Sequence, residues 1–246
     1  MDNGIMLTSS SMEALSEDFR AVAHNLANIS TVGYKRLQSA FFNALQSALS
    51  GSGEPAAGTL GEVEAATSID FTQGALIPTG RPLDLALQGK GFFVIETPEG
   101  QLYTRKGSFY VNPNGQLVDT EGRTVAGQAG PIVIPSTTSP LKVRVAGDGS
   151  VSADGRPIGK LRLVEFDNVS VLESVGAACF RLTAPVTPKD ALQTTVHQGY
   201  QEASNVPAVR ELVRLITLTR LYQANVKSVQ TLDEQMKYLL QVAMGS

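Results

Sequence analysis

The chain has 246 residues, enough for one large domain or two small ones, with 17 % charged side chains and a formal net charge of −3. That balance gives no reason to expect a nucleic acid or an anionic membrane as partner. The single cysteine, Cys179, excludes an intramolecular disulfide, and no run approaches the roughly 20 apolar residues that span a bilayer.

The first element in chain order is an apolar-striped helix. Ile5, Met12, Leu15, Phe19, Val22, Leu26 and Ile29 form its stripe, and from Met12 onward the steps alternate between three and four, the spacing of a heptad seam. Ser9, Ser10 and Ser11 are expected to open this helix, with Glu13 and Glu17 near its positive end. Gly33 is expected to mark its exit. Met1-Asp2-Asn3-Gly4 offers no basic stretch and no compact apolar run follows, so a cleaved secretory signal is not expected. A short helix is expected over residues 41–49, then a linker rich in Gly, Ser, Pro and Ala over residues 50–61.

From about residue 62 the apolar period falls to two. Leu83, Leu85 and Leu87 alternate with Asp84 and Ala86, and the run Phe92-Phe93-Val94-Ile95 follows. Turn signals at Pro98-Glu99-Gly100, Asn114-Gly115 and Glu121-Gly122 separate short strand-like stretches that continue to Leu182, reading as hairpins of an antiparallel barrel or sandwich. The 23 glycines and 12 prolines fit such a turn-rich region. Pro185 and Pro188 mark a connector, and Glu202-Ala203-Ser204-Asn205 precedes a second striped helix that runs to about Val242. Its seam is Leu212, Leu215, Tyr222, Val226, Val229, Met236 and Leu240.

Residues 1–34 carry a net charge of −3 and residues 206–246 one of +2, which favours side-by-side packing of the two ends. Ile216, Leu218, Leu221, Leu232 and Leu239 lie off the seam, so the last helix is apolar over more width than one partner helix covers. Thr8, Thr219 and Asp233 interrupt the seams, and a buried Asp233 would need a cation. The fold class expected is α+β: long N- and C-terminal helices packing as a coiled coil, with a central, mainly antiparallel β domain. The expected division is an N-terminal helix at residues 1–34, a connecting segment and linker at 35–64, a β-rich domain at 65–190, a connector at 191–205 and a C-terminal helix at 206–246. Met12, Leu15, Phe19, Val22, Leu26 and Ile29, with Leu212, Leu215, Tyr222, Val226, Val229 and Met236, are the candidate assembly interface.

Patterns for chemistry are weak. His24 and His197 have no partner at metal-ligand spacing. Gly89-Lys90-Gly91 lacks the gap and the Lys-Ser/Thr of a phosphate-binding loop. Asp148 and Asp154 sit in Gly-rich turns, where Asp usually bonds its own backbone. No catalytic, cofactor or metal residue is therefore nominated. The competing readings are a cell-wall-cleaving enzyme module, which needs a carboxylate pair in a cleft, and a closed trimeric coiled-coil adhesin.

At the exit of the first stripe the chain reads Asn25-Leu26-Ala27-Asn28-Ile29-Ser30-Thr31-Val32-Gly33-Tyr34-Lys35-Arg36. This resembles the N-terminal signature of the bacterial flagellar rod and hook proteins, Asn-Leu-Ala-Asn-x-x-Thr-x-Gly-[Phe/Tyr]-[Lys/Arg]. Further matches are Gln88-Gly89-Lys90-Gly91-Phe92-Phe93, Tyr103-Thr104-Arg105-Lys106-Gly107-Ser108-Phe109, Asn114-Gly115-Gln116-Leu117-Val118 and Glu202-Ala203-Ser204-Asn205-Val206. Within the family, the run over residues 74–87 and the modest length are most similar to proximal rod members, and next to distal rod members. The resemblance implies a structural axial subunit of the flagellar basal body, exported by the flagellar type III apparatus without signal cleavage. It further implies a helical polymer with its own copies and other rod proteins: a tube across the periplasm that encloses the export channel and transmits torque. The terminal helices would form an inner coiled-coil layer and the β-rich middle an outer one.

Overall fold

A computed structural model describes residues 2–39 and 67–244. The short helix expected at 41–49 and the linker at 50–61 lie outside the described residues, as do the side chains of Asp233 and Met236. Two helices, α1 (Asp2–Ala27) and α2 (Ala208–Met244), stand at the ends. Between them the strands are β1 (Arg36–Ser39), β2 (Thr67–Asp70), β3 (Leu76–Pro78), β4 (Leu85–Gln88), β5 (Phe92–Thr97), β6 (Gly100–Thr104), β7 (Tyr110–Val111), β8 (Leu117–Val118), β9 (Thr124–Gly127) and β10 (Gly130–Pro131). They continue as β11 (Val143–Val145), β12 (Ser150–Ala153), β13 (Arg156–Lys160), β14 (Leu163–Glu165), β15 (Leu172–Gly176), β16 (Cys179–Leu182), β17 (Lys189–Asp190), β18 (Thr195–Gln198) and β19 (Tyr200–Glu202). The chain divides into two compact units, a helical one and a β one.

The helical unit holds α1, α2 and the β1–β2 pair. Leu15, Val22 and Leu218 are its buried apolar centre, with Leu26, Leu215 and Leu221 packed on the flank. Full burial of a Leu or Val side chain contributes roughly 1.5–3 kcal/mol, so this patch is a modest core. Polar contacts complete it. Asp18 is wholly buried and meets Arg214 at 3.3 Å. Burial pushes the Asp18 carboxyl above its usual value, while Ser39 and Arg214 pull it back. Asn25, also buried, pairs with the backbone of Leu37 on both sides of its amide, donating to the carbonyl at 2.9 Å and accepting from the N–H at 2.8 Å. It thereby forms a false strand rung with β1, and donates at 3.3 Å to the buried Glu211.

The β unit comprises residues 28–36 and 71–205. Its largest sheet runs in the order β15-β16-β6-β5-β9-β8-β7, with β14 also on β5 and β10 on β9. The β5–β6 hairpin is its centre, pairing Phe93 with Thr104 and Ile95 with Leu102. Strands β11, β12 and β13 make a second antiparallel sheet, and β4 pairs with β18. Leu83, Leu85 and Leu87 point into one core with Phe93, Ile95 and Phe109, as alternation along a strand requires.

The expected α+β fold with coiled-coil ends is corrected by this architecture. The described residues hold two α-helices and two single-turn 3-10 helices (Pro140–Lys142 and Val169–Val171), and the rest of them are strands, turns and irregular chain. Among the described side chains the apolar contact of the two helices is the short patch around Leu218 and not a continuous seam. Heptad positions Phe19, Leu212, Tyr222 and Val229 are instead 48 %, 50 %, 49 % and 40 % exposed. Leu218, off the expected seam, is the most deeply buried apolar residue of α2 among the described side chains. The reason is geometric. A heptad spacing decides which side chains share a face, but not that a matching face lies opposite, and here the Asp18–Arg214 pair occupies part of the contact that a seam would fill. The helix also starts at Asp2, well before the Ser9-Ser10-Ser11 run expected to open it.

Candidate functional site

Two sites emerge, one in each unit. In the β unit, residues quoted from distant motifs converge on the carboxylate of Glu202, which has no solvent exposure. Its Oε1 accepts from Lys35 Nζ at 2.6 Å and from the backbone N–H of Gly74 at 3.0 Å. Its Oε2 meets Arg105 Nη1 at 3.4 Å. Lys35 also donates to the Thr72 carbonyl at 2.6 Å, and Arg105 to the Gly89 carbonyl at 2.6 Å. The Arg105 guanidinium lies 5.0 Å over the Phe92 ring. Burial pulls its pKa below the usual guanidinium value, with the charge of Glu202 pulling the other way.

Backbone contacts set the geometry. The N–H of Gly33 donates to the Glu202 carbonyl at 2.8 Å. Gly33 has a φ of +70°, and a Cβ there would strike the backbone of Lys106, so the glycine at this point of the signature has a steric cause. Gly107 is equally closed, since a Cβ would strike the Leu85 carbonyl. Asn205 accepts from the Arg36 N–H at 2.8 Å and donates to the Thr72 carbonyl and hydroxyl at 3.1 Å. Thr31 donates to the Asn28 side chain at 3.0 Å and ties the turn after α1. Phe92, Phe93, Tyr103 and Phe109 are buried in edge-to-face aromatic pairs. Gly91 donates to Thr194 at 2.9 Å, and Thr104 to the Ala178 carbonyl at 2.8 Å. The cluster thus fastens residues 33–36, 72–74 and 202–205 to Arg105. It holds charges and amides in fixed pairs and presents no activated nucleophile.

The helical unit carries the second site. Of the nominated interface residues, Leu15, Val22, Leu26 and Leu215 lie in or beside its small core. Met12 and Val226 are half-buried, and Phe19, Leu212, Tyr222 and Val229 are exposed. Ile29 belongs to the β unit, and Met236 has no described side chain. Asn25, Leu26 and Ala27 remain in the helical unit, whereas Asn28, Thr31, Gly33 and Tyr34 lie in the β unit, so the signature straddles the division. Ser204 and Asn205 end the β unit, and Val206, which is buried, begins the helical segment. Lys35 and Glu202 stand inside the motifs that carry the resemblance but are not among the candidate residues that the sequence offers.

Two family models match the chain. The flagellar hook protein FlgE/F/G D1 domain matches residues 86–153, and the flagellar basal body rod FlgEFG protein C-terminal region matches residues 197–242. The flagellar basal-body rod protein FlgG of Buchnera aphidicola subsp. Acyrthosiphon pisum is 32 % identical over 259 aligned positions, covering 97 % of this chain and 98 % of that protein. The chain belongs to the flagellar rod protein family. The rod protein FlgF of Caulobacter vibrioides is likewise 32 % identical, over 235 positions that cover 95 % of each chain. FlgG of Agrobacterium fabrum is 34 % identical over 252 positions, covering 94 % of this chain and 95 % of that protein. This flagellar rod protein is accordingly a structural one, and its buried Glu202 cluster is where three stretches carrying family motifs meet. Among the described residues no group of three or more His, Cys, Asp or Glu side chains stands together as a metal site, and no helix is long and apolar enough to cross a membrane.

Proposed function

We infer that this rod-family chain is an axial subunit of the flagellar basal body, assembling helically with its own copies and with other rod proteins. The tube so formed crosses the periplasm, encloses the export channel and transmits torque, and the subunit reaches it through the flagellar export apparatus without signal cleavage. The observation that carries the reading is the contrast in cover. The β unit closes over a broad apolar core, while the helices leave Phe19, Leu212, Ile216, Tyr222 and Val229 at least 40 % exposed. A monomer that kept such faces in water would aggregate; a polymer buries them. Met12, Leu15, Phe19, Val22, Leu26, Leu212, Leu215, Tyr222, Val226 and Val229 then act in assembly, directly or by holding the two helices in register.

The proximal rod is the favoured position. The alignment with Caulobacter FlgF takes 235 positions for 95 % of this chain, so few gaps open in this chain. That with Buchnera FlgG takes 259 positions, more than the chain's 246 residues. A distal position is the second reading, supported by FlgG relatives that match the chain just as fully. The test is the density of a tagged full-length chain in isolated basal bodies. Density in the proximal segment is expected, density only in the distal segment supports the second reading, and its absence from the rod overturns both.

A further inference from the structure

The buried side chains of α1 repeat every seven residues. Ala14, Leu15 and Asp18 are followed by Ala21, Val22 and Asn25, and all six are buried. Seven residues are close to two turns, so each trio offers the same outline on the same face, about 10 Å further along the axis. The leucines of α2 repeat as well: Leu212, Leu215, Leu218 and Leu221 recur every three residues. Sliding α2 by three residues and turning it back by about 60° puts Leu215 or Leu221 where Leu218 stands. The apolar contact of Leu15, Val22 and Leu218 is thus met by leucine in neighbouring registers too, and does not select among them.

The polar groups are not interchangeable. Asp18 meets Arg214 at 3.3 Å, and Asn25 donates to Glu211 at 3.3 Å. Sliding α2 one way brings Glu211 to the place of Arg214, carboxylate against the carboxylate of Asp18. Sliding it the other way brings Thr217 there, which leaves Asp18 without a cation and sets Arg214 against the Asn25 amide. Moving α1 by a heptad brings Asp18 to the place of Asn25. It then faces Glu211, and its carboxylate cannot donate to the Leu37 carbonyl as Asn25 does at 2.9 Å. A buried charge without its partner is costly, so each displaced register is penalised. As a source of stability the pair is weak. Its 3.3 Å exceeds the about 2.7–2.9 Å of a strong charge-assisted bond, and burial raises the Asp18 carboxyl in spite of Arg214, so desolvation outweighs the attraction.

We propose that Asp18 and Arg214, seconded by Asn25 and Glu211, select the register of α1 against α2, a choice that the repeating apolar contact leaves open. A single buried polar position fixes register in coiled coils in the same way, by making the alternatives worse. The selection acts within one subunit and does not depend on the rod reading above. Its effect on the surface is large, because a register one turn away displaces every face of α2 by about 5 Å relative to α1.

The test uses the purified full-length chain with Ala23→Cys on α1 and Gln223→Cys on α2, both at exposed positions. Nitroxide labels on the two cysteines report their separation by double electron–electron resonance. Native Cys179 is 2 % exposed, so the unsubstituted chain treated with the label is the blank. A single separation is expected in this background. Adding Asp18→Leu with Arg214→Met is expected to keep or raise the urea midpoint and to add a second separation. The shift is about 5 Å for one turn of α2 or about 10 Å for one heptad of α1. Asp18→Val with Arg214→Leu, a smaller apolar pair, guards against a fault of packing. A single unshifted separation in either double variant overturns the proposal. So does loss of the helical unit in both, because the pair would then be a stability element. Arg214→Lys keeps the cation and is expected to keep the single separation. Glu17→Leu with Arg20→Met, which removes the exposed pair on α1, is expected to keep it too. A second separation in either of these controls overturns the assignment to the buried pair.

Discussion

The two units handle apolar surface and charge in opposite ways. The β unit draws Leu, Phe, Val and Ile side chains from strands β4 to β18 into one core and places Lys35, Arg105 and Glu202 beneath the surface as a closed cluster. In the helical unit Leu15, Val22 and Leu218 are the buried centre, and apolar side chains face outward along α2. Sheets joined by tight turns find their partners locally, and each added strand covers the last. A helix must meet a separate face of matching width, and whatever that face leaves uncovered stays exposed. A core closed within the chain and apolar faces left open are thus divided between the units.

The sharpest way to break this contrast is at the cluster. Glu202→Ala leaves Lys35 and Arg105 buried without their carboxylate and is expected to cost about 3–5 kcal/mol, read as a lowered urea midpoint. Glu173→Ala removes the exposed partner of Arg181 and should change stability by less than about 1 kcal/mol. Equal effects would mean that the cluster does not fasten the unit.

Next in size is the two-sidedness of α2. Leu218→Ala is expected to cost about 2–5 kcal/mol in the subunit. Ile216→Ala, on the exposed face, should stay within about 0.5 kcal/mol in the same melts while reducing incorporation into basal bodies. A large loss of subunit stability from Ile216→Ala would show that the outer face is already covered within the chain.

Replacing Ala177 refines the picture of the β unit. Ala177 and Ala178 adopt φ of +50° and +57° in the β15–β16 hairpin, a region costly for residues with a Cβ. Ala177→Gly should raise stability by roughly 0.5–1 kcal/mol, seen as a melting temperature higher by a few degrees. A decrease would mean that the turn relaxes at no cost.

Acidification provides the smallest contrast, and its sign differs between the units. Hydrogen bonds from the Ser150 N–H and hydroxyl, then from Lys160, hold Asp148 down at about 2. The unfolded chain binds that proton more readily, so the contribution of Asp148 is complete above about pH 4 and is lost as pH falls toward 2. Asp18 is raised, chiefly by burial; its folded form holds the proton more tightly, so the helical unit gains from this group as pH falls through the raised value. Melts of Asp148→Asn against the unsubstituted chain between about pH 5 and 2 should show the variant with the flatter acid limb. An unchanged limb would remove Asp148 as its source.

Much of the local order was legible in the residues. Alternation marked Leu83, Leu85 and Leu87 as sharing a side, and all three enter the core. Asn114-Gly115 and Glu121-Gly122 marked turns, where both glycines take positive φ. The turn at Ala177 and Ala178 was not legible, because neither residue signals a left-handed conformation. The cluster was legible only in pieces: Glu202 lies 167 residues from Lys35 and 97 from Arg105 in sequence, and nothing local to any of the three names the others. Asp18 and Arg214 stood in the sequence only as part of the opposite net charges of the two ends, and nothing local singled them out as the buried pair that they form across the helices.

The sequence alone determined the family, through motifs spread along the chain, and which apolar side chains share a face, through their period. Both are local properties, fixed by residue identity and by the geometry of a helix or a strand. Tertiary structure alone decided which of those faces is covered. Burial belongs to pairs of surfaces, so Leu218 is core and Leu212 is surface for reasons that lie on α1, not on α2.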